Sequence, residues 1–268
     1  MKSWFCPPLY WIRLVSAWLR TRAAEHKNHL IKNKLIKLEA LMILINRIHP
    51  VWHDGPYPMP TDYDKWLSQC KSMFCEYMNT RHIGDPVVVM FGDSIADTAR
   101  SELRSVPALL NFGRSGYLIQ HMRQLFTDMV AYMYQNGIVP DVVVVGTPGG
   151  NNLLQRNTVA CTITYWLEFL TFIRQTLASP RIVVYGLPQT LDIYVANVKA
   201  QMMEVTRKWV VGDGRASVLM LIHGFSHKNR VVPIDDMSCD GVHMTPLGQL
   251  QFDTDLYEAI YRGAVVVP

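Results

Sequence analysis

From residue 86 onward the chain alternates between short apolar runs and longer amphipathic stretches. The runs at 87–91, 108–112, 141–145, 181–185 and 217–222 have the length of strands. Between and after them, residues 95–104, 117–135, 152–177, 191–209 and 246–262 place apolar side chains at helical spacing. Val87-Val88-Val89-Met90-Phe91 and Val142-Val143-Val144-Val145 are apolar at every position, not at alternate ones. A strand of that kind is buried on both faces. This predicts a parallel sheet with helices on both sides, whose ligands bind beyond the C-terminal strand ends.

Upstream the pattern is helical. Ile31, Leu35, Leu38, Met42 and Ile45 recur at spacings of four and three, with Lys32, Lys34 and Lys37 among them. Two heptads are too few for a coiled coil, so a helix on the domain or in an oligomer is expected. His49-Pro50 ends it, Gly55-Pro56-Tyr57-Pro58-Met59-Pro60 reads as a stiff linker, and residues 62–79 read as a further helix. In residues 4–20, Trp11, Leu14, Val15, Trp18 and Leu19 share one helical face, with Arg13, Ser16 and Arg20 opposite. Three readings stay open for this segment: a membrane-interface helix, a packing helix and a signal anchor. The domain expectation is a basic helical extension over 1–80 and one α/β domain over 81–268.

Charge sharpens that division. Residues 1–50 hold nine Lys/Arg and two Asp/Glu, a net of +7, whereas the whole chain is +4. The remainder is therefore slightly acidic. A basic arm on a near-neutral domain suits contact with an anionic surface, or simply a solvated helix face. Residues 1–50 are thus the candidates for binding a membrane surface or for self-association, and no nucleic acid is expected as a partner. Apolar residues make up 49% and charged residues 18%, ordinary for a globular protein, and no apolar run is long enough to span a bilayer. Location is left open; a cytoplasmic or membrane-peripheral place is favoured over a secreted or anchored one. The five cysteines include no C-x-x-C pair and are read as reduced. The nine histidines include no H-E-x-x-H. No metal site and no cofactor are expected. His223 and His227 flank Gly224 and read as surface loop residues.

The chemistry is concentrated at strand ends. Asp240-Gly241-Val242-His243 places a carboxylate and an imidazole three residues apart, just before Thr245-Pro246, a helix cap followed by a proline suited to the first helical turn. Such a pair forms two-thirds of a nucleophilic triad. Gly92-Asp93-Ser94 supplies the missing serine at the end of the first apolar strand. Each piece alone would be an ordinary turn.

Together the pieces resemble the SGNH hydrolases, also called the GDSL esterase/lipase family. Gly92-Asp93-Ser94-Ile95 resembles the first sequence block and Asn111-Phe112-Gly113-Arg114-Ser115-Gly116 the second. Gly149-Gly150-Asn151-Asn152 is similar to the third and Asp240-Gly241-Val242-His243 to the last. The resemblance implies a three-layer flavodoxin-like parallel sheet of about five strands, with helices on both faces, preceded here by the helical extension. It implies Ser94 as nucleophile, His243 as base and Asp240 as its orienting carboxylate. Three oxyanion donors are implied: the backbone N–H groups of Ser94 and Gly116, and the side-chain amide of Asn151. The third block departs from the family. Asn152 stands where Asp is usual, and Gly146-Thr147-Pro148 intervenes after the strand, so the donor lies open between Asn151 and Asn152, with Asn151 preferred. The implied activity is hydrolysis of an acetyl or acyl ester of a carbohydrate or lipid through an acyl-serine. An acyltransferase using the same acyl-enzyme, and an inactive glycan- or lipid-binding module, are the alternatives.

Overall fold

The computed structural model describes residues 58–82, 84–100, 103–106, 109–146, 150–154, 158–177, 180–186, 193–213, 218–220, 226–227, 230–231 and 243–262. The two amphipathic segments of the arm, His223, Cys239 and Asp240 lie outside them. Five strands form one parallel sheet: β1 (Val88–Phe91), β2 (Leu109–Asn111), β3 (Val142–Gly146), β4 (Arg181–Tyr185) and β5 (Val218–Met220), in the order β2-β1-β3-β4-β5. Val88 pairs with Leu109 on one side and with Val142 on the other. β1 is therefore an interior strand, and the direction of strand succession reverses between β1 and β3. The chain leaves both strands at the same end, which is where open α/β sheets bind ligands.

The helices in chain order are α1 (Tyr63–Thr80), α2 (Ser94–Ala99), α3 (Ile119–Gln135), α4 (Gly150–Leu154), α5 (Val159–Thr176), α6 (Ile193–Asp213) and α7 (Pro246–Tyr257). A π-helical turn, Glu258–Arg262, extends α7. Strand geometry sends alternate side chains to opposite faces. Val88, Met90, Val142, Val144, Val183 and Tyr185 accordingly pack with Ile95, Ala96 and Ala99 of α2 and with Phe252 and Leu256 of α7. Phe91 points to the other face, 5.3 Å from the ring of Phe126 on α3, which in turn meets Phe169 and Phe172 of α5. β1 and β3 are buried along their whole length, as strands apolar at every position require.

Residues Tyr57–Pro268 make one compact unit. It includes α1, the helix that sequence reading placed in the extension. α1 turns Tyr63, Trp66, Cys70, Phe74 and Tyr77 inward, a stripe at spacings of three and four. Phe74 meets Tyr132 of α3 edge to face at 5.7 Å, and the Tyr63 hydroxyl donates to Asp128 of the same helix. Burial pushes the Cys70 thiol up to about 12, so it behaves as a core residue. Cys70, Cys75 and Cys161 are free thiols.

Where the apolar pattern predicts one helix over 152–177, the structure has two. α4 spans Gly150–Leu154 and α5 begins afresh at Val159, because the Thr158 side chain accepts the N–H of Cys161 at 3.1 Å and caps a new helix. His227, expected in a loop, pairs with Arg230 in a two-residue hairpin. No helix of the described residues is long and apolar enough to cross a membrane.

Candidate active site

Gly92-Asp93 turns the chain from β1 into α2. The buried Asp93 caps α2, its Oδ1 accepting the N–H of Ile95 at 3.1 Å, which sets Ser94 at the first helical position. Gly92 is required by proximity: a Cβ there would stand 2.4 Å from the Tyr185 hydroxyl. At the end of β3, a Cβ on Gly146 would come 2.3 Å from the same ring. Tyr185 thus lies fully buried beneath both strand ends, and two glycines admit it. Burial raises its phenol well above the ordinary value, and the nearby Asp93 adds to the effect.

His243 arrives from the other end of the chain. Met244 is buried in the sheet core, Thr245 caps α7 by accepting the N–H of Gly248 at 3.3 Å, and Pro246 occupies the first turn. These anchors leave the imidazole facing α2. His243 Nε2 stands 2.9 Å from Ser94 Oγ, across 149 residues of sequence. Both side chains are only partly buried, so the pair is open to a substrate.

The loop after β2 supplies the next wall. Asn111 is buried; its amide donates to the carbonyl of Ala96 at 2.8 Å, and its oxygen accepts the N–H of Gly113 at 2.9 Å. The N–H of Arg114 donates to the carbonyl of Gly92 at 3.0 Å, tying this loop to the serine's turn. Tyr117 N–H closes a turn onto the carbonyl of Arg114 at 3.2 Å. Gly116 is the third residue of that turn, with φ of 81°, the left-handed conformation that glycine adopts without strain. Asp97 of α2 accepts both the N–H and the hydroxyl of Ser115, at 2.9 and 2.7 Å.

The two asparagines of the third block have different surroundings. Asn152 is fully buried: its oxygen accepts the N–H of Ile119 at the start of α3, at 3.1 Å, and its amide donates to Gln120 at 3.0 Å. Asn151 is partly exposed, and its amide lies 3.0 Å from the carbonyl of Tyr117, the residue after Gly116. Ser94 and His243 are therefore in contact, while Gly116 and Asn151 lie on adjoining loops joined through Tyr117. Arg100 and Arg114, beside this loop, are engaged in the protein. Arg100 bonds Asp97 and the carbonyl of Gly113, and Arg114 bonds Asp62 at 2.5 Å. The contributions of Asp97, Tyr185 and Asp62 had no motif to announce them. Among the described residues no three His, Cys, Asp or Glu side chains converge as a metal site would need.

Comparison of the coordinates with solved structures finds acylhydrolase-like and lipase-like proteins among the matches. A presumed acylhydrolase from Bacteroides fragilis matches with a TM-score of 0.54 at 13% identity, over 80% of this chain and 99% of its own. A GDSL-like lipase from Bacteroides thetaiotaomicron matches at 0.51 and 13%, over 74% of this chain and all of its own. The fold is that of the SGNH hydrolases. A member of the lipolytic G-D-S-L family from Veillonella parvula matches at 0.50 and 14%, over 65% of this chain and 98% of its own. No family model and no curated protein matches the sequence. The fold is thus shared at low sequence identity, and the Ser94–His243 contact lies beyond the end of β1.

Proposed function

We propose that the protein is a serine esterase that hydrolyses an acetyl or acyl ester of a carbohydrate or lipid through an acyl-serine intermediate. The observation that carries this reading is the 2.9 Å contact between His243 Nε2 and Ser94 Oγ at the C-terminal end of the sheet. A serine hydroxyl is a weak nucleophile until a base takes its proton. Ser94 Oγ attacks the ester carbonyl as its proton passes to His243. The C–O bond to the alcohol then breaks, and the imidazolium returns the proton to the departing oxygen. Water, activated by the same imidazole, releases the acid and restores the serine. Asp240 is assigned the orienting carboxylate by its place three residues before His243.

The tetrahedral intermediate carries a negative oxygen that needs preorganised donors. The backbone N–H groups of Ser94 and Gly116 and the amide of Asn151 are assigned to it. The left-handed Gly116 and the buried, fully occupied Asn152 support that choice of residues. The basic residues 1–50 are assigned to a membrane surface or to self-association and not to the chemistry.

The test is direct. Wild-type protein should hydrolyse a chromogenic acetyl ester and take up a fluorophosphonate on Ser94. Ser94→Ala should do neither while keeping its thermal midpoint. Wild-type turnover in that variant would overturn the assignment. Labelling without release of acid to water would point to transfer of the acyl group to an alcohol.

A further inference from the structure

Asp62 occupies the N-cap position of α1, yet its carboxylate caps nothing. It reaches instead across to Arg114, two residues before Gly116, at 2.5 Å. One turn further along α1, the buried indole of Trp66 meets two guanidinium groups, 4.7 Å from Arg100 and 5.1 Å from Arg114. Those two arginines hold the loop: Arg100 bonds the carbonyl of Gly113, and Arg114 carries the N–H bonded to Gly92. A residue placed at a cap without capping has been diverted to another use.

Magnitude says which use. The Asp62 and Arg114 side chains are 40% and 36% exposed. An ion pair so open contributes little to folding. It does fix a guanidinium whose own backbone begins the turn that contains Gly116. We infer that Asp62 and Trp66 are positioning residues: the start of α1 clamps the 113–116 loop so that the Gly116 N–H points at the oxyanion. This rests on the esterase reading, and it makes a helix upstream of all four sequence blocks part of the catalytic apparatus. Asp97, Arg100 and Gly92 hold the loop from the α2 side. From α1, Asp62 and Trp66 engage the Arg114 guanidinium.

The experiment uses the full chain with Asp62→Ala, Asp62→Glu and Arg114→Met. Because the carboxylate makes no cap bond, Asp62→Ala removes none. Each variant is followed by kcat and KM on a chromogenic acetyl ester, by the rate of fluorophosphonate labelling of Ser94 and by thermal midpoint. Asp62→Ala should lower kcat and the labelling rate about tenfold, part of the hundredfold or more that loss of an entire oxyanion donor costs. KM and the midpoint should hardly move. Asp62→Glu should restore most of the rate, and Asp62→Ala combined with Arg114→Met should cost no more than the worse single change. Salt at about 1 M should slow the wild type toward Asp62→Ala and leave the variant unaffected, since the pair is open to screening. A wild-type rate in Asp62→Ala overturns the inference. So does a loss that follows a fallen midpoint and is not restored by glutamate. A wild type that takes no label at Ser94 instead removes the esterase reading, and the clamp with it.

Discussion

At the scale of single residues, two neighbouring asparagines divide the work of the third loop. Asn152 is buried and satisfies the N–H of Ile119, an otherwise unpaired donor at the first turn of α3. Replacing it with Ala strands that donor and the Gln120 side chain, which should cost about 1–3 kcal/mol of stability. Asn151 faces outward beside the Gly116 turn. Asn151→Ala should leave the urea midpoint close to wild type and lower kcat about a hundredfold, with KM little changed. Parallel denaturation and kinetics on the two variants check the division. If Asn152→Ala carries the kinetic loss and keeps its stability, the assignment is one residue out. The order Gly-Gly-Asn-Asn does not itself separate the two roles, because both side chains have the same chemistry. What separates them is burial against α3, a contact made across more than thirty residues.

At the scale of elements, the starts of α2, α3, α5 and α7 are set by local side chains, and those side chains explain both what the sequence revealed and what it hid. The five strands fall within about two residues of the apolar runs, since full burial leaves an uninterrupted signal. The break before α5 was hidden because apolar spacing continues through it, while the deciding contact is one hydroxyl, that of Thr158. The start of α3, read from the apolar spacing at 117, lies at Ile119. There His121, at the third helical position, accepts the N–H of Leu118 on Nδ1 at 3.2 Å, the role a glutamine fills in a capping box. Burial holds His121 below the ordinary 6.5, against a hydrogen bond with the Pro58 backbone that pulls upward. The folded chain therefore binds this proton less readily than the unfolded chain. Its contribution to stability is complete above about pH 6.5, and it is lost progressively as the pH falls below that value toward the lower folded pKa. Urea midpoints taken between about pH 5 and 7.5 should show this slope. His121→Gln, which keeps an acceptor for Leu118 and cannot titrate, should flatten it. An unchanged slope in that variant would place the titration elsewhere. Ser94 and His243 were legible because each sits at the end of an element with its own signature. Asp62 and Trp66 were not, because 52 residues separate Asp62 from Arg114 and no periodicity links them.

At the scale of the whole molecule, the question is how much of the N-terminal region the catalytic body needs. Sequence reading put the domain boundary at residues 80/81, between the Pro-rich linker at 55–60 and the first of the four sequence blocks near residue 87. The segment between them holds α1, which buries Tyr63, Trp66, Phe74 and Tyr77 against the rest of the unit. Large side chains of this kind contribute about 1.5–3 kcal/mol each when buried, so four of them approach the entire stability of a typical domain, about 5–15 kcal/mol. Removing α1 would also expose the apolar side chains of α3 that it covers, Tyr132 among them. A chain beginning at residue 51 should therefore fold and hydrolyse a small soluble ester at close to the full-length rate. It should lose binding to vesicles of anionic lipid, or fall to a smaller assembly in light scattering, because the net charge of +7 lies within residues 1–50. A chain beginning at residue 81 should be insoluble, or folded only weakly, and inactive. Full turnover from that shorter chain would show that α1 is an accessory to the fold and would remove the clamp on the Gly116 turn at the same time. Loss of turnover in the chain beginning at 51, with its thermal midpoint intact, would instead bring the basic arm into the active site.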